Sequence, residues 1–568
     1  MKTMKNLYLL ALLLLGTLSL SAQIRYVTES GAGSMNGNSW ADASPDLQAM
    51  IDASTAGDEV WVAAGKYTPT VETDPGDPRS KAFVMKEGVA IYGGFAGTEM
   101  QRSQRDWVMN VTTLSGDLDG DDDPVTTDAN GDLVFGNNGE NSYHVIFNDQ
   151  NGLTNAAVLD GFTVSGGSAV GNIFQENYGG GVYNRCSSPT LTNCSFSGNR
   201  ASLIGGGMYN LFSSPELTNC SFPGNRASLN GGGMYNDLSS PGLTNCSFSG
   251  NQANNFGGGI YNRSSSPELT NCSFSGNQAN FSGGGMYNRD TSPELTNCSF
   301  SGNRASGSRG GAVRNNNSNP TFTNCLIYNN QAGNSTTTSM ASVANNSTSN
   351  PTYSYSLVQN ITDGTSNNNL DGSLDPLFVD PPDPTNAPTT AGDLRLQTGS
   401  PAIDAGNNSA YTNTIAVDLA GNPRITDGDG NGSELIDLGA YEAPDIPSCT
   451  PNATPDPTNA PLTWTGAVSS TWNEGCNWSS GLVPDADNPV TIPDGTPNAP
   501  ALQPNTTYAA QDLTLESGVQ LTLPAGSTFT VGGTLLLDGA TLTNAGTLDP
   551  GATTLQNGGA LTNRGRVE

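Results

Sequence analysis

The sequence predicts an all-β chain wound as a right-handed parallel β-helix, with a second, smaller β-solenoid-like domain at its C-terminal end. Three observations predict it. Residues 179–330 repeat one unit: GGGMYN and TNCSF recur, Cys194, Cys220, Cys246, Cys272 and Cys298 follow at intervals of 26 residues, and Cys325 closes the series at 27. That period is too short for a domain and marks a solenoid in which each repeat is one coil. Apolar residues within a unit, such as Met208, Tyr209, Leu217, Cys220 and Phe222, are spaced as short strand pieces between Gly, Ser, Pro and Asn, with no helical recurrence at i, i+3, i+4. Gly 70 and Pro 34 against 13% charged residues fit a turn-dense β protein. Right-handedness follows the rule for parallel crossovers.

Leu217 and Cys220 are three apart and Cys220 and Phe222 two apart, so a straight strand cannot point all three inward. A left-handed corner at Asn219 resets the parity, and it recurs at Asn193, Asn245, Asn271, Asn297 and Asn324. Three strands per coil are expected. Coils stacked about 4.8 Å apart align ladders from Leu191 to Leu295, through the six cysteines, and from Phe196 to Phe300, ending in Ile327. The corner asparagines can hydrogen-bond along the stack. Parallel cysteines in register lack the Cβ approach that a disulfide prefers, so they read as buried thiols. Cys449 and Cys476 are the candidate pair, and Cys186 is left over.

Residues 1–22 carry Lys2 and Lys5, the apolar run LYLLALLLLGTLSL and Ser21-Ala22. This is a cleavable leader, so the mature chain is exported and keeps no transmembrane helix. Residues 23–445 form the β-helix: a capping segment and first coils over 23–165, the repeats over 166–330, and closing coils over 331–445. Leu47 to Ala53 is the one amphipathic helix, placed to cover the open end of the stack. Residues 446–461 are a proline-rich linker, and 462–568 alternate short apolar runs with glycine turns. The chain stops at ALTNRGRVE without a capping signal, from which a fragment is expected.

GGGMYN and FSGN in each unit, with Gly310-Gly311-Ala312-Val313 nearest in form, resemble the GGA[I/V] and FxxN repeats of polymorphic outer membrane proteins. AIYGGFAGTE, LDGFTVSGG, LRLQTGSPAIDAG, DLAGNPR and IDLGAYE resemble exported β-helix proteins of the choice-of-anchor Q type. TWTGAVSSTWNEGCNWSSGLVPDADNPVTIPDG resembles a module of type IX-exported surface proteins. The resemblance implies a Gram-negative cell-surface or outer-membrane protein, often adhesive.

A net charge of −31 argues against nucleic acid and anionic membranes. Zinc lacks a CxxC, and His144 is the only histidine. Catalysis needs a singular arrangement of groups, whereas Glu216, Glu268 and Glu294 share a position with Thr190 and Gly242, and Arg200, Arg226 and Arg304 share one with Gln252 and Gln278. Such alternation reads as solvated surface, so the chain is not expected to be an enzyme. It needs no cofactor. Two acidic loops could hold structural calcium: Asp117, Asp119, Asp121 and Asp123 at alternate positions, and Asp427, Asp429 and Asn431 in DGDGNG. The plainer reading of both is a solvated insertion. Asp122 and Leu438 depart from the EF-hand pattern. The expected function is a monomeric, non-catalytic adhesin or scaffold, with faces of Asn, Ser, Thr and Tyr turned to surface glycans or to proteins of a host or neighbouring cell. The alternative is a polysaccharide lyase or glycoside hydrolase with its site on the irregular coils at 81–165 or 331–440.

Overall fold

The computed structural model describes residues 22–567 apart from 130, 308, 334–341, 362–365, 412–415, 430–432, 445–458, 467–469, 474, 480–481 and 497. The leader lies outside the described residues.

The repeats wind as a parallel β-helix, each coil adding one strand to each of four sheets. In the second repeat these strands are Met208–Leu211, Glu216–Thr218, Ser221–Pro223 and Arg226–Ala227. They are called here the tyrosine, leucine, phenylalanine and alanine sheets after the residue each repeats in register. The coil thus has four strands and not the expected three. Asn225 ends the phenylalanine strand by returning its Nδ2 to the Phe196 carbonyl at 2.7 Å. Gly224, at φ +65, then turns the chain into the separate pair Arg226–Ala227.

Leucine, cysteine and phenylalanine ladders fill the interior as the spacing requires. The phenyl rings stack at 4.4–5.0 Å from Phe196 to Phe300. The cysteines from Cys194 to Cys325 are free and buried, and Cys186 is free and exposed. The corner asparagines take φ of 51–54°. Asn219 Nδ2 donates to Asn193 Oδ1 at 3.1 Å, and Asn297 to Asn271 at 3.1 Å.

Two further asparagine ladders lie inside. Asn184, Asn210, Asn236, Asn262 and Asn288 each donate Nδ2 to the Oδ1 of the next rung at 2.9–3.0 Å. Asn199, Asn225, Asn251, Asn277 and Asn303 do the same at 2.8–3.2 Å. Each amide satisfies its neighbour, so polar groups are tolerated at full burial. The tyrosines stack on the outer side of their sheet at 4.9–5.9 Å, covered by Ile204, Leu211 and Phe256. The expected faces of Asn and Tyr are therefore closed: most asparagines sit in the core and the tyrosines are 3–8% exposed. Ring faces already stacked on each other cannot also stack on a sugar.

The helix Leu47–Ala53 forms as expected, N-capped by Asp46, and buries Leu47 and Ile51 at the start of the solenoid. At the other end the chain turns back. Residues 376–443 run along the outside of the coils: Thr389 N donates to Gly276 O at 3.0 Å, Asn329 Nδ2 to Pro382 O at 3.2 Å, and Ala440 N to Ser299 Oγ at 3.0 Å.

From Leu462 a second set of parallel strands has its own core, around Trp464, Trp472 and Trp478. Its coils are shorter: Gln520 pairs with Thr541, and Thr541 with Ala560. Cys476 is disulfide-bonded, and its expected partner Cys449 lies outside the described residues. No helix among the described residues is long and apolar enough to cross a membrane.

Candidate functional site

Where the phenylalanine strand turns into the alanine strand, each coil has a glycine in the left-handed region: Gly166, Gly198, Gly224, Gly250, Gly276 and Gly302, at φ 59–75°. Missing side chains there let two segments lie on the solenoid. The acidic segment 117–141 brings Val125 onto Gly198, and the return segment brings Thr389 onto Gly250 and Gly276 and Pro382 onto Gly302. Of the six, only Gly224 has nothing within 4 Å of where a Cβ would stand. Between the two segments opens a cleft of about 830 Å³. Its floor is Ser197, Pro223 and Gly224, one wall is Val125 and Phe135, and the other is Asn386, Pro388 and Thr389.

Charge is concentrated at one end. Lys66 Nζ lies 2.5 Å from Asp117 Oδ2. Burial works against the Asp117 carboxylate, but Lys66 and the amides of Gly120 and Asp121 hold it below the usual range. Asp122 faces the same cleft and accepts from Asn141 Nδ2 at 2.9 Å, while that amide also donates to Gly166 O at 2.6 Å. Burial, and then Asp117 and Glu140, push Asp122 up to about 6. Carboxylate oxygens of Asp117, Asp119, Asp121 and Glu140 lie within 4.8 Å of one another. This is a hard-oxygen set suited to calcium, with the reservation of Asp117 to Lys66 as its one misfit.

The expected set is thereby corrected. Asp117, Asp119 and Asp121 converge, but Asp123 turns away to accept from Asn137 Nδ2 at 3.2 Å, and Glu140 stands in its place. The loop bends after Gly120, so alternate residues no longer share a side. Further along, Asp132 accepts from Gln252 Nε2 at 2.6 Å and faces Arg226, so this arginine anchors the acidic segment and is not simply solvated surface.

In the second loop Asp427 and Asp429 converge with Asp404, which burial pushes up to about 6. Asn431 lies outside the described residues. Beside them is a buried nest joining LRLQTGSPAIDAG, DLAGNPR and IDLGAYE. Glu442 N donates to Asp418 Oδ2 at 2.7 Å, Asp437 N to Glu442 Oε1 at 2.7 Å, and Asp404 N to Asp437 Oδ1 at 2.8 Å. Among the described residues Arg424 is the only cation in this nest, 3.5 Å from Glu442. Burial pushes Asp437 up to about 7 and Glu442 up to about 9. His144, buried and pushed down to about 4, faces the Gly179 carbonyl at 3.0 Å and has a structural role.

Sequence reasoning missed Lys66, Asp122, Glu140 and Asn141. Lys66 did carry a signal, being one of three lysines after residue 22. Glu140 carried none, because only closure of the loop brings it back.

Residues 154–307 match the family described as a right-handed β-helix region, and the coils form a right-handed parallel β-helix. Residues 463–563 match a domain of unknown function, DUF8693. No curated protein sequence matches the chain. Among solved structures, pectate lyase Pel9A is similar at 15% identity and a TM-score of 0.37, over 75% of this chain and 97% of that one. The PL6 family alginate lyase AlyGC is similar at 11% identity and a TM-score of 0.22, over 96% of this chain and 75% of that one. The expectation that the chain is not an enzyme is corrected here. One is a pectate lyase and the other an alginate lyase, and likenesses this weak neither give this chain an active site nor exclude one.

Proposed function

We propose that the protein is exported and displayed on the cell surface, where it holds a glycan chain in the cleft between its acidic and return segments, with calcium completing the acidic loop. The observation that carries this reading is the open floor at Pro223 and Gly224, framed by walls that combine apolar side chains with a few polar groups, as carbohydrate and small-ligand sites do. The outer membrane setting and an adhesive role follow from the resemblance to polymorphic outer membrane and choice-of-anchor Q proteins. Calcium bound by Asp119, Asp121 and Glu140 would draw Asp117 from Lys66 and fix the wall. The test is a glycan array spanning neutral, amino and acidic chains, probed with the mature protein with and without calcium. Binding by the wild type that is lost in Gly224→Phe supports the cleft; binding that this variant leaves intact, or no binding at all, refutes it.

One observation favours a second reading, a polysaccharide lyase at the same place. Lys66 reaches the cleft beside Asp117, and lyase chemistry asks for a base with a cation nearby. Release of unsaturated ends on the same array, lost in Lys66→Met, would establish this reading.

A further inference from the structure

Between Glu294 and Asp363 the chain has no carboxylate at all, although Asp and Glu number 52 overall, and this stretch holds Arg304, Arg309 and Arg314. Arg304 has a partner in the Thr385 carbonyl. Arg314 is different. It occupies the rung that tyrosine holds in the coils before it, in register with Tyr287, and it is 7% exposed. Its Nη1 is buried without a hydrogen-bond partner among the described residues. The charged side chain that acts on it is Arg309, of the same sign; burial lowers its pKa, opposed by Tyr287, and Arg309 adds a smaller lowering. Arg309 is exposed and adjoins the preceding coil through Ser282.

A guanidinium does not give up its proton in a protein, so Arg314 cannot escape burial by becoming neutral, as a lysine could. Burying a charge without a counter-charge is strongly unfavourable. Among the described residues no carboxylate acts on it, although Asp290 and Glu294 lie on the preceding coil. We infer that Arg314 and Arg309 form an oxyanion site at the C-terminal end of the tyrosine ladder, taking a carboxylate or sulfate group in charge-assisted hydrogen bonds from Arg314 Nη1. The site is on a different sheet from the cleft and does not depend on it. Its ligand is a free inorganic oxyanion or the acid group of a sugar, which share this chemistry.

Thermal unfolding of the mature protein in sodium sulfate, sodium glucuronate and sodium chloride at matched ionic strength tests it. Sulfate stabilises proteins in general, so the readout is the difference between wild type and Arg314→Met in each salt. The wild type should gain about 3 °C more than the variant in an oxyanion salt, and in chloride the variant should be at least as stable as the wild type. Arg309→Gln, at an exposed position that threatens no packing, should reduce the gain. Excess gain in sulfate alone identifies an inorganic oxyanion, and gain in glucuronate also identifies a sugar acid. Equal responses of wild type and Arg314→Met in all three salts would overturn the inference, as would an undiminished gain in Arg309→Gln.

Discussion

In the inner ladders of the repeated coils the buried polar groups are neutral amides, each bonded to the same amide one rung away. In the two segments folded over them, 117–141 and 376–443, the buried polar groups are carboxylates held by one or two cations. The first arrangement is satisfied by repetition alone, since any coil supplies what the next one needs. The second is satisfied only by particular partners, Lys66 for Asp117 and Arg424 for Glu442. The coils should therefore be indifferent to pH and costly to interrupt, and the covering segments sensitive to pH and separable from the coils.

The largest effect should come from interrupting a ladder. Asn236 is fully buried between Asn210 and Asn262, so Asn236→Ala leaves a donor and an acceptor unsatisfied and should cost about 2–5 kcal/mol. Urea unfolding should show this loss equally at pH 5 and pH 9; a loss that varies with pH would break the contrast. Next come the glycines beneath the covering segments. Gly224→Ala pays only for a left-handed backbone, about 1 kcal/mol, whereas at Gly276 the new methyl also meets the Thr389 carbonyl. Gly276→Ala should be the more destabilising and should expose residues 380–390 to protease, with the coils intact.

A smaller effect concerns protons. Glu442 and Asp437 have folded pKa values raised to about 9 and about 7, facing Arg424, Asp418 and Asp404. Groups raised in this direction add stability that is complete below their unfolded pKa and lost as pH rises through the folded values. Hydrogen-exchange protection of 418–443 should fall between pH 6 and pH 9, and Glu442→Gln should flatten that fall while protection in the coils stays constant. Smallest of all, Thr218→Ala on the outer face of the leucine sheet should change stability by less than about 0.5 kcal/mol.

The coils were legible because their signal is written many times. A period of 26, with the odd spacing of Leu217, Cys220 and Phe222, is enough to require a corner, and asparagine is the residue that tolerates it. The inner asparagines were not legible, because polarity taken position by position assigns them to the surface. They are stable inside only because every rung repeats them. Tyr209 and its counterparts misled in the same way: they do face outward, but neighbouring turns cover them. At the candidate site the acidic run was visible, whereas Glu140 and Lys66 lie far from it in the chain. Asp123 was misplaced because alternation was assumed to continue through a loop that bends at Gly120.

Because successive coils are interchangeable, the distance between the two covering segments is a whole number of rungs. The acidic segment grips Arg226 and Gln252 and lies over Gly198, and the return segment begins its contacts at Gly250. Gly224 is the single rung left open between them. Duplication or loss of one 26-residue unit in the gene would lengthen or shorten that gap by one strand spacing, about 4.8 Å, close to the length of one sugar. The repeat array thus acts as a ruler, and unequal recombination within it would reset the length of chain the cleft can hold without altering any residue of its walls.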